Sequence, residues 1–168
     1  LDLMTTLDLE KLFGAKGLTL TAYGLGDFGG KPSETFGEVV VSSNIESPNT
    51  FKLYELYLTK QLSENLVFQF GTRNLNADFF ATESSGIFRN SAFGISTTMA
   101  QTGVNGPSIF PTTSLAAIAK YEKPDDTYLT IGVFNAKSGD PNDPNGTVIN
   151  TSTDEGYLYI WELGYKPK

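Results

Sequence analysis

Leu66-Val67-Phe68-Gln69-Phe70-Gly71-Thr72-Arg73-Asn74 sets Leu66, Phe68 and Phe70 on one row against Val67, Gln69 and Arg73 on the other. Alternation with a period of two marks a strand with one apolar and one wet face. Its length matches the roughly nine to eleven residues that a tilted strand needs to cross a bilayer.

The same pattern extends in both directions. Ser63-Glu64-Asn65 reads as a tight turn, and before it 51–62 carries Tyr54, Leu56 and Leu58 on one face and Glu55, Tyr57 and Thr59 on the other. Lys52 and Lys60 share the face of Tyr54, but at its two ends, where a long stem can carry the ammonium out to an interface. Segment 1–10 splits into Leu1, Leu3, Thr5, Leu7, Leu9 and Asp2, Met4, Thr6, Asp8, Glu10, and a turn around Gly14-Ala15-Lys16-Gly17 leads into 18–26. Downstream, 114–122 and 127–135 form a hairpin across Lys123-Pro124-Asp125-Asp126, with Pro and Asp where turn chemistry wants them. The last strand is 156–165.

Short breaks thus alternate with long ones, at about 27–50, 75–113 and 136–155. Tight turns at one end, large loops at the other and strands with one greasy face predict an all-β, antiparallel, up-and-down transmembrane β-barrel. Glu55, Gln69, Arg73, Lys120, Glu122 and Glu162 all fall on the wet faces. The parity is less clean late in the chain, where Ile118, Leu158 and Ile160 alternate with equally apolar neighbours.

Composition agrees. Mean hydropathy is −0.17, so no run of ~20 apolar residues offers a membrane helix. Aromatics make up 12% of residues, which suits girdles at two membrane interfaces. With no cysteine and no histidine, a disulfide scaffold and a thiolate metal site are excluded, and the commonest general base is missing. A net charge of −7 argues against nucleic acid and anionic lipid surfaces as partners.

The chain opens in a strand without a basic start, apolar stretch and cleavage site, so no export signal is visible. Tyr165-Lys166-Pro167-Lys168 reads as a turn. A closed single-chain bacterial barrel has an even number of strands, whereas seven or eight are legible here. An open sheet could not sit in lipid, because its unpaired N–H and C=O groups would each cost several kcal/mol. Residues 1–168 therefore read as a single partial barrel domain, completed by strands outside this stretch.

Six blocks carry a family resemblance: Leu7-Asp8-Leu9-Glu10-Lys11-Leu12, Ser43-Asn44-Ile45-Glu46, Leu53-Tyr54-Glu55-Leu56-Tyr57, Phe88-Arg89-Asn90-Ser91-Ala92-Phe93-Gly94, Gly106-Pro107-Ser108-Ile109-Phe110-Pro111 and Glu162-Leu163-Gly164-Tyr165. In order and spacing they resemble the carbohydrate-selective porins of the OprB type. That resemblance implies a barrel of sixteen strands in the outer membrane of a Gram-negative bacterium. Sugars and other small solutes would diffuse passively through it, with no cofactor and no catalysis. Outer-membrane lipid and the remaining strands would be its partners, and assembly as monomers or trimers stays open.

By analogy with general porins, the break at 75–113 is expected to fold into the lumen and narrow it. Phe79, Phe80, Phe88 and Phe93 would anchor it, and Asp78, Arg89 and Asn90 would offer hydrogen bonds to passing hydroxyls. Glu55, Arg73, Tyr57 and Tyr128 would contribute from the wall, since sugars are bound by polar groups together with flat aromatic faces. Each has a plainer reading: a wall-to-loop salt bridge for either arginine, a strand-to-strand ion pair for Glu55, and interfacial packing for the tyrosines.

Other motifs carry less. Gly24-Leu25-Gly26-Asp27-Phe28-Gly29 spells a dinucleotide fingerprint, but Gly30-Lys31-Pro32 follows where a helix should open. In the acidic run 138–146, Pro144 sits where a calcium loop needs an oxygen ligand. Asn145-Gly146-Thr147 and Asn150-Thr151-Ser152 match a glycosylation triplet that is frequent by chance. Two rival classes remain: a secreted or surface β-sandwich binding domain such as an adhesin, which would bury its apolar faces under a second sheet, and an outer-membrane barrel enzyme, which would need a nucleophile with its base.

Overall fold

The computed structural model describes residues 1–37, 41, 43–82, 84–123, 126–151 and 154–165. Seven strands, β1 (Asp2–Asp8), β2 (Leu18–Asp27), β3 (Thr50–Ser63), β4 (Leu66–Arg73), β5 (Ser114–Glu122), β6 (Thr127–Asn135) and β7 (Tyr157–Tyr165), form one sheet. Each pairs antiparallel with its neighbours in sequence, in the order β1 to β7. This is an up-and-down meander that stays open, as part of a larger barrel would. Of the predicted hairpin turn at 123–126, Pro124 and Asp125 lie outside the described residues, as do Lys166, Pro167 and Lys168 of the predicted terminal turn.

Register assigns the faces, because directly paired residues project to the same side. One row runs Leu20, Leu58, Phe70, Ala117, Val133, Tyr159, and the next Leu18, Lys60, Phe68, Ala119, Ile131, Trp161. No second sheet or helix layer covers this face among the described residues. Phe70 is 48%, Ile131 47% and Trp161 71% exposed, which is the reverse of a sandwich, where such a face is the core. Where Thr72 brings a hydroxyl to this side, it accepts a hydrogen bond from the Leu56 amide at 2.7 Å, so the polar atom on this apolar face is paired. Aromatics flank the apolar band, Phe51 and Tyr157 near the loop ends and Tyr121 and Tyr165 near the turn ends, all exposed.

The opposite face carries Thr21, Tyr57, Gly71, Ala116, Phe134 and Leu158 in one row, and Thr19, Thr59, Gln69, Ile118, Gly132 and Ile160 in the next. The expectation that Tyr54 and Lys52 belong with Leu56 and Leu58 is corrected here. Tyr23 pairs with Glu55 and Gly24 with Leu53, so Tyr54 is the extra residue of a β-bulge and the parity inverts before it. Lys52, opposite Leu25, joins the polar face and is buried. Tyr54 packs edge-on against Tyr23 (5.3 Å) and Phe110 (6.4 Å). Lys60 stays on the apolar side, its ammonium bonded to the Lys16 carbonyl at the turn end.

The other departure from expectation is at residues 9–13. Leu9–Phe13 is a short helix, α1, rather than the end of a strand followed by a simple turn. The Asp8 carboxylate accepts from the Lys11 amide and so caps it, and Gly14 closes it with φ +73°. Two further short helices, α2 (Pro32–Phe36) and α3 (Thr97–Ala100), lie in the long loops.

The core lies between the polar face and the loop after β4. Leu75 and Phe79 are fully buried against Ala116, Ile118 and Phe134, with Leu158 and Ile160 packed alongside. This resolves the late ambiguity of parity: Ile118, Leu158 and Ile160 are on the inner rows but are apolar because a loop covers them. Gly132 makes room, since a Cβ there would stand 2.9 Å from the Phe79 ring and 2.8 Å from that of Phe134. Gly132→Ala is expected to cost about 1–3 kcal/mol by overpacking, measured by urea unfolding of the reconstituted barrel.

Candidate functional site

The loop that leaves β4 is fastened to the polar face within a few residues. Register puts Glu55 just beyond the last β3–β4 pair, Leu56 with Thr72, and so beside Arg73. Arg73 Nη1 donates to Glu55 Oε1 at 3.0 Å, and the Asn74 amide donates to the same oxygen at 2.7 Å. The guanidinium uses its other edge on the loop, with Nη2 and Nε donating to Asp78 Oδ2 at 2.5 and 3.2 Å. Its flat face lies 4.1 Å over the Tyr57 ring. Lys120, from β5, donates to Asp78 Oδ1.

Two cations and two carboxylates therefore form a neutral cluster in which Glu55, Arg73 and Asp78 are buried. Neutrality matters: a buried charge without a partner costs several kcal/mol, whereas charge-assisted bonds to both Asp78 oxygens and to Glu55 Oε1 offset desolvation. Gly71 keeps the space beside Tyr57 clear. At φ +145°, a Cβ there would meet the Tyr57 Cα at 2.5 Å.

A second tie comes from β7. Glu162 accepts from the Phe80 amide at 2.9 Å with one oxygen and from the Tyr128 hydroxyl at 2.7 Å with the other. Phe80 has φ +57°, a conformation that a bulky residue adopts only when its surroundings hold it there. Phe79, next to it, packs edge-on against Phe134 at 6.1 Å. Where the loop returns, the buried Ser108 hydroxyl donates to the Arg73 carbonyl at 2.6 Å and accepts from the Ser114 amide at 2.7 Å. The Thr113 hydroxyl donates to the Tyr54 carbonyl at 2.5 Å.

The far part of this loop meets the segment between β2 and β3. The Asn44 amide donates to the Arg89 carbonyl at 2.7 Å, and the Ser91 amide to the Val41 carbonyl at 3.1 Å. Two cavities open along this junction, of about 380 and 540 Å³, both touching Ser43, Asn44 and Asn76. The larger is lined by Phe80, Phe88, Arg89 and Phe93. Phe88 and Phe93 stack on each other at 4.2 Å and remain half-exposed.

The predicted site residues divide into three groups. Glu55, Arg73, Asp78 and Tyr57 come together, but the first three spend their polar atoms on one another rather than presenting them outward. Tyr128 is apart, bonded to Glu162. Arg89 is exposed at the larger cavity, while Asn90 caps a 3-10 turn by accepting from the Ala92 amide at 2.9 Å. Of the four loop phenylalanines expected to anchor against the wall, Phe79 alone is fully buried.

This architecture carries a recognisable lineage. Residues 1–168 match the family described as "Carbohydrate-selective porin, OprB family". The chain belongs to that family. Its fold is similar to the high-pH structure of Pseudomonas putida OprB, with a TM-score of 0.75 at 18% identity over 99% of this chain and 41% of that one. This member of the porin family thus spans about two-fifths of that structure. No curated protein matches it by sequence. Family and fold point to part of a porin barrel rather than to a sandwich.

Lys120 and Glu162 were absent from the predicted site, although both hold the loop. Their signal was charge on the wet row of a strand otherwise crowded with apolar side chains. Ser108 gave no signal, because a serine that bonds two backbones is indistinguishable in sequence from one in solvent.

Proposed function

We propose that residues 1–168 form one continuous stretch of the wall of an outer-membrane porin, through which sugars and other small solutes diffuse passively into the periplasm. The observation that carries this reading is the asymmetry of the sheet. One face is apolar, bare and edged with aromatics; the other is polar and bears a loop fastened by ion pairs. In this reading the bare face meets lipid, and strands outside this stretch pair with β1 and β7 to close the barrel. The loop at 74–113 narrows the passage.

Glu55, Arg73, Asp78 and Lys120 then serve the passage indirectly, by keeping the loop folded inward against flow. Tyr128 and Glu162 hold it from the other side. Solute contact falls to the half-exposed surface farther along the loop, around Arg89 and the phenylalanine pair. Such contacts must be weak, since a solute held tightly would block the passage.

Reconstituting the full-length porin in a planar bilayer tests the reading. Stepwise current that added sugar reduces is expected, and absence of any channel would contradict it.

A further inference from the structure

We propose that the 540 Å³ cavity between the loop after β4 and the segment before β3 is a binding site for sugars that carry an anionic group, such as uronates or sugar phosphates, in preference to neutral ones. The inference rests on reading the chain as part of a sugar-passing porin and adds the charge of the solute. A cavity of this size suits a mono- or disaccharide.

Its lining is polar and aromatic together. Ser43, Asn44, Asn76 and Thr82 face the same space as the Phe88–Phe93 pair, whose outer ring faces stay open because the two rings already cover each other's inner faces. Hydroxyl-rich rings with apolar C–H faces are met by this combination.

Charge gives the preference. Arg89 is the sole ionisable side chain among the described residues of the lining. Its guanidinium is exposed and makes no hydrogen bond or ion pair within the described residues. The contrast with Arg73 is direct: the chain's other arginine is consumed by Glu55 and Asp78, whereas Arg89 keeps its full fork of donors. That fork matches a carboxylate or phosphate in two-point geometry, which an ammonium could not do. In a chain of net charge −7, a free guanidinium at the edge of an aromatic cavity is a local positive feature. Screening limits the influence of competing carboxylates to a Debye length of ~8 Å.

The test is saturation-transfer NMR titration of the detergent-solubilised full-length porin with glucuronate, glucose 6-phosphate and glucose, on the parent and on Arg89→Gln and Arg89→Lys. Glucuronate or the phosphate is expected to bind at least about fivefold more tightly than glucose. Arg89→Gln should abolish that preference by weakening the anionic sugars far more than glucose, with Arg89→Lys between. Raising salt should weaken the anionic sugars alone. Phe93→Ala should weaken all three together. Equal binding of glucose and the anionic sugars by the parent, or an undiminished preference in Arg89→Gln, would overturn the proposal. Because binding is read in detergent, this result stands apart from the bilayer current, whose absence would instead remove the porin reading.

Discussion

Asp78→Ala is expected to destabilise the reconstituted barrel by about 3 kcal/mol or more and to raise its single-channel conductance. Asp78 is the only charged side chain of the loop that pairs with the strands among the described residues, and it answers two cations at once. Arg73 donates to one oxygen through two nitrogens, and Lys120 holds the other. Removing the carboxylate leaves Arg73 buried with Glu55 alone and Lys120 without a counter-charge. Lys120 is partly solvated, so water recovers some of its loss, while Arg73 is 5% exposed and recovers little. Release of the loop should widen the passage as stability falls. Urea unfolding followed by tryptophan fluorescence reads the first effect and planar-bilayer current the second. A loss under 0.5 kcal/mol with unchanged current would mean that the loop is held by its apolar core alone.

The second large effect concerns the opposite face. Leu58→Arg is expected to cost about 2–4 kcal/mol, because an arginine on a lipid face near mid-bilayer must drag its charge through hydrocarbon. Thr59→Arg, one residue on and across the sheet, is expected to cost less than about 1 kcal/mol, since water can solvate it. Leu58 pairs with Leu20 and Phe70, and Thr59 with Thr19 and Gln69. The contrast between the two substitutions therefore isolates the environment of the face. Equal costs, measured by the same unfolding experiment, would contradict the assignment.

Most of the strand layout was legible, because period-two alternation and turn residues are written locally. The hairpin strands 114–122 and 127–135 coincide with β5 and β6. Three things were not legible, each for a physical reason. The β3 bulge adds a residue whose only trace is the clash it resolves: Lys52 and Glu55, an odd separation apart, both lie on the polar face. The start of α1 at Leu9 was masked by leucines that satisfy a strand's alternation, although Asp8 and Gly14 are a helix cap and stop. Ile118, Leu158 and Ile160 belong to a face that is apolar only beneath the loop, and that covering is a contact between segments far apart in sequence.

The site was less legible than the fold. Charge on the wet rows singled out Glu55 and Arg73, and the analogy with an inward-folded loop singled out Asp78, but whether such a group faces solute or another side chain depends on the path of a loop. Here the path closes them on each other and leaves Arg89 open.

Nitroxide labels can read the two faces directly, in a background without other cysteines, since residues 1–168 contain none to compete for attachment. In the full-length porin in lipid vesicles, labels on Leu58→Cys, Phe70→Cys and Ile131→Cys are expected to collide with dissolved oxygen far more than with a water-soluble nickel chelate. Labels on Thr59→Cys, Val67→Cys and Glu122→Cys should show the opposite. Equal accessibility of both rows to the chelate would contradict the account at its root.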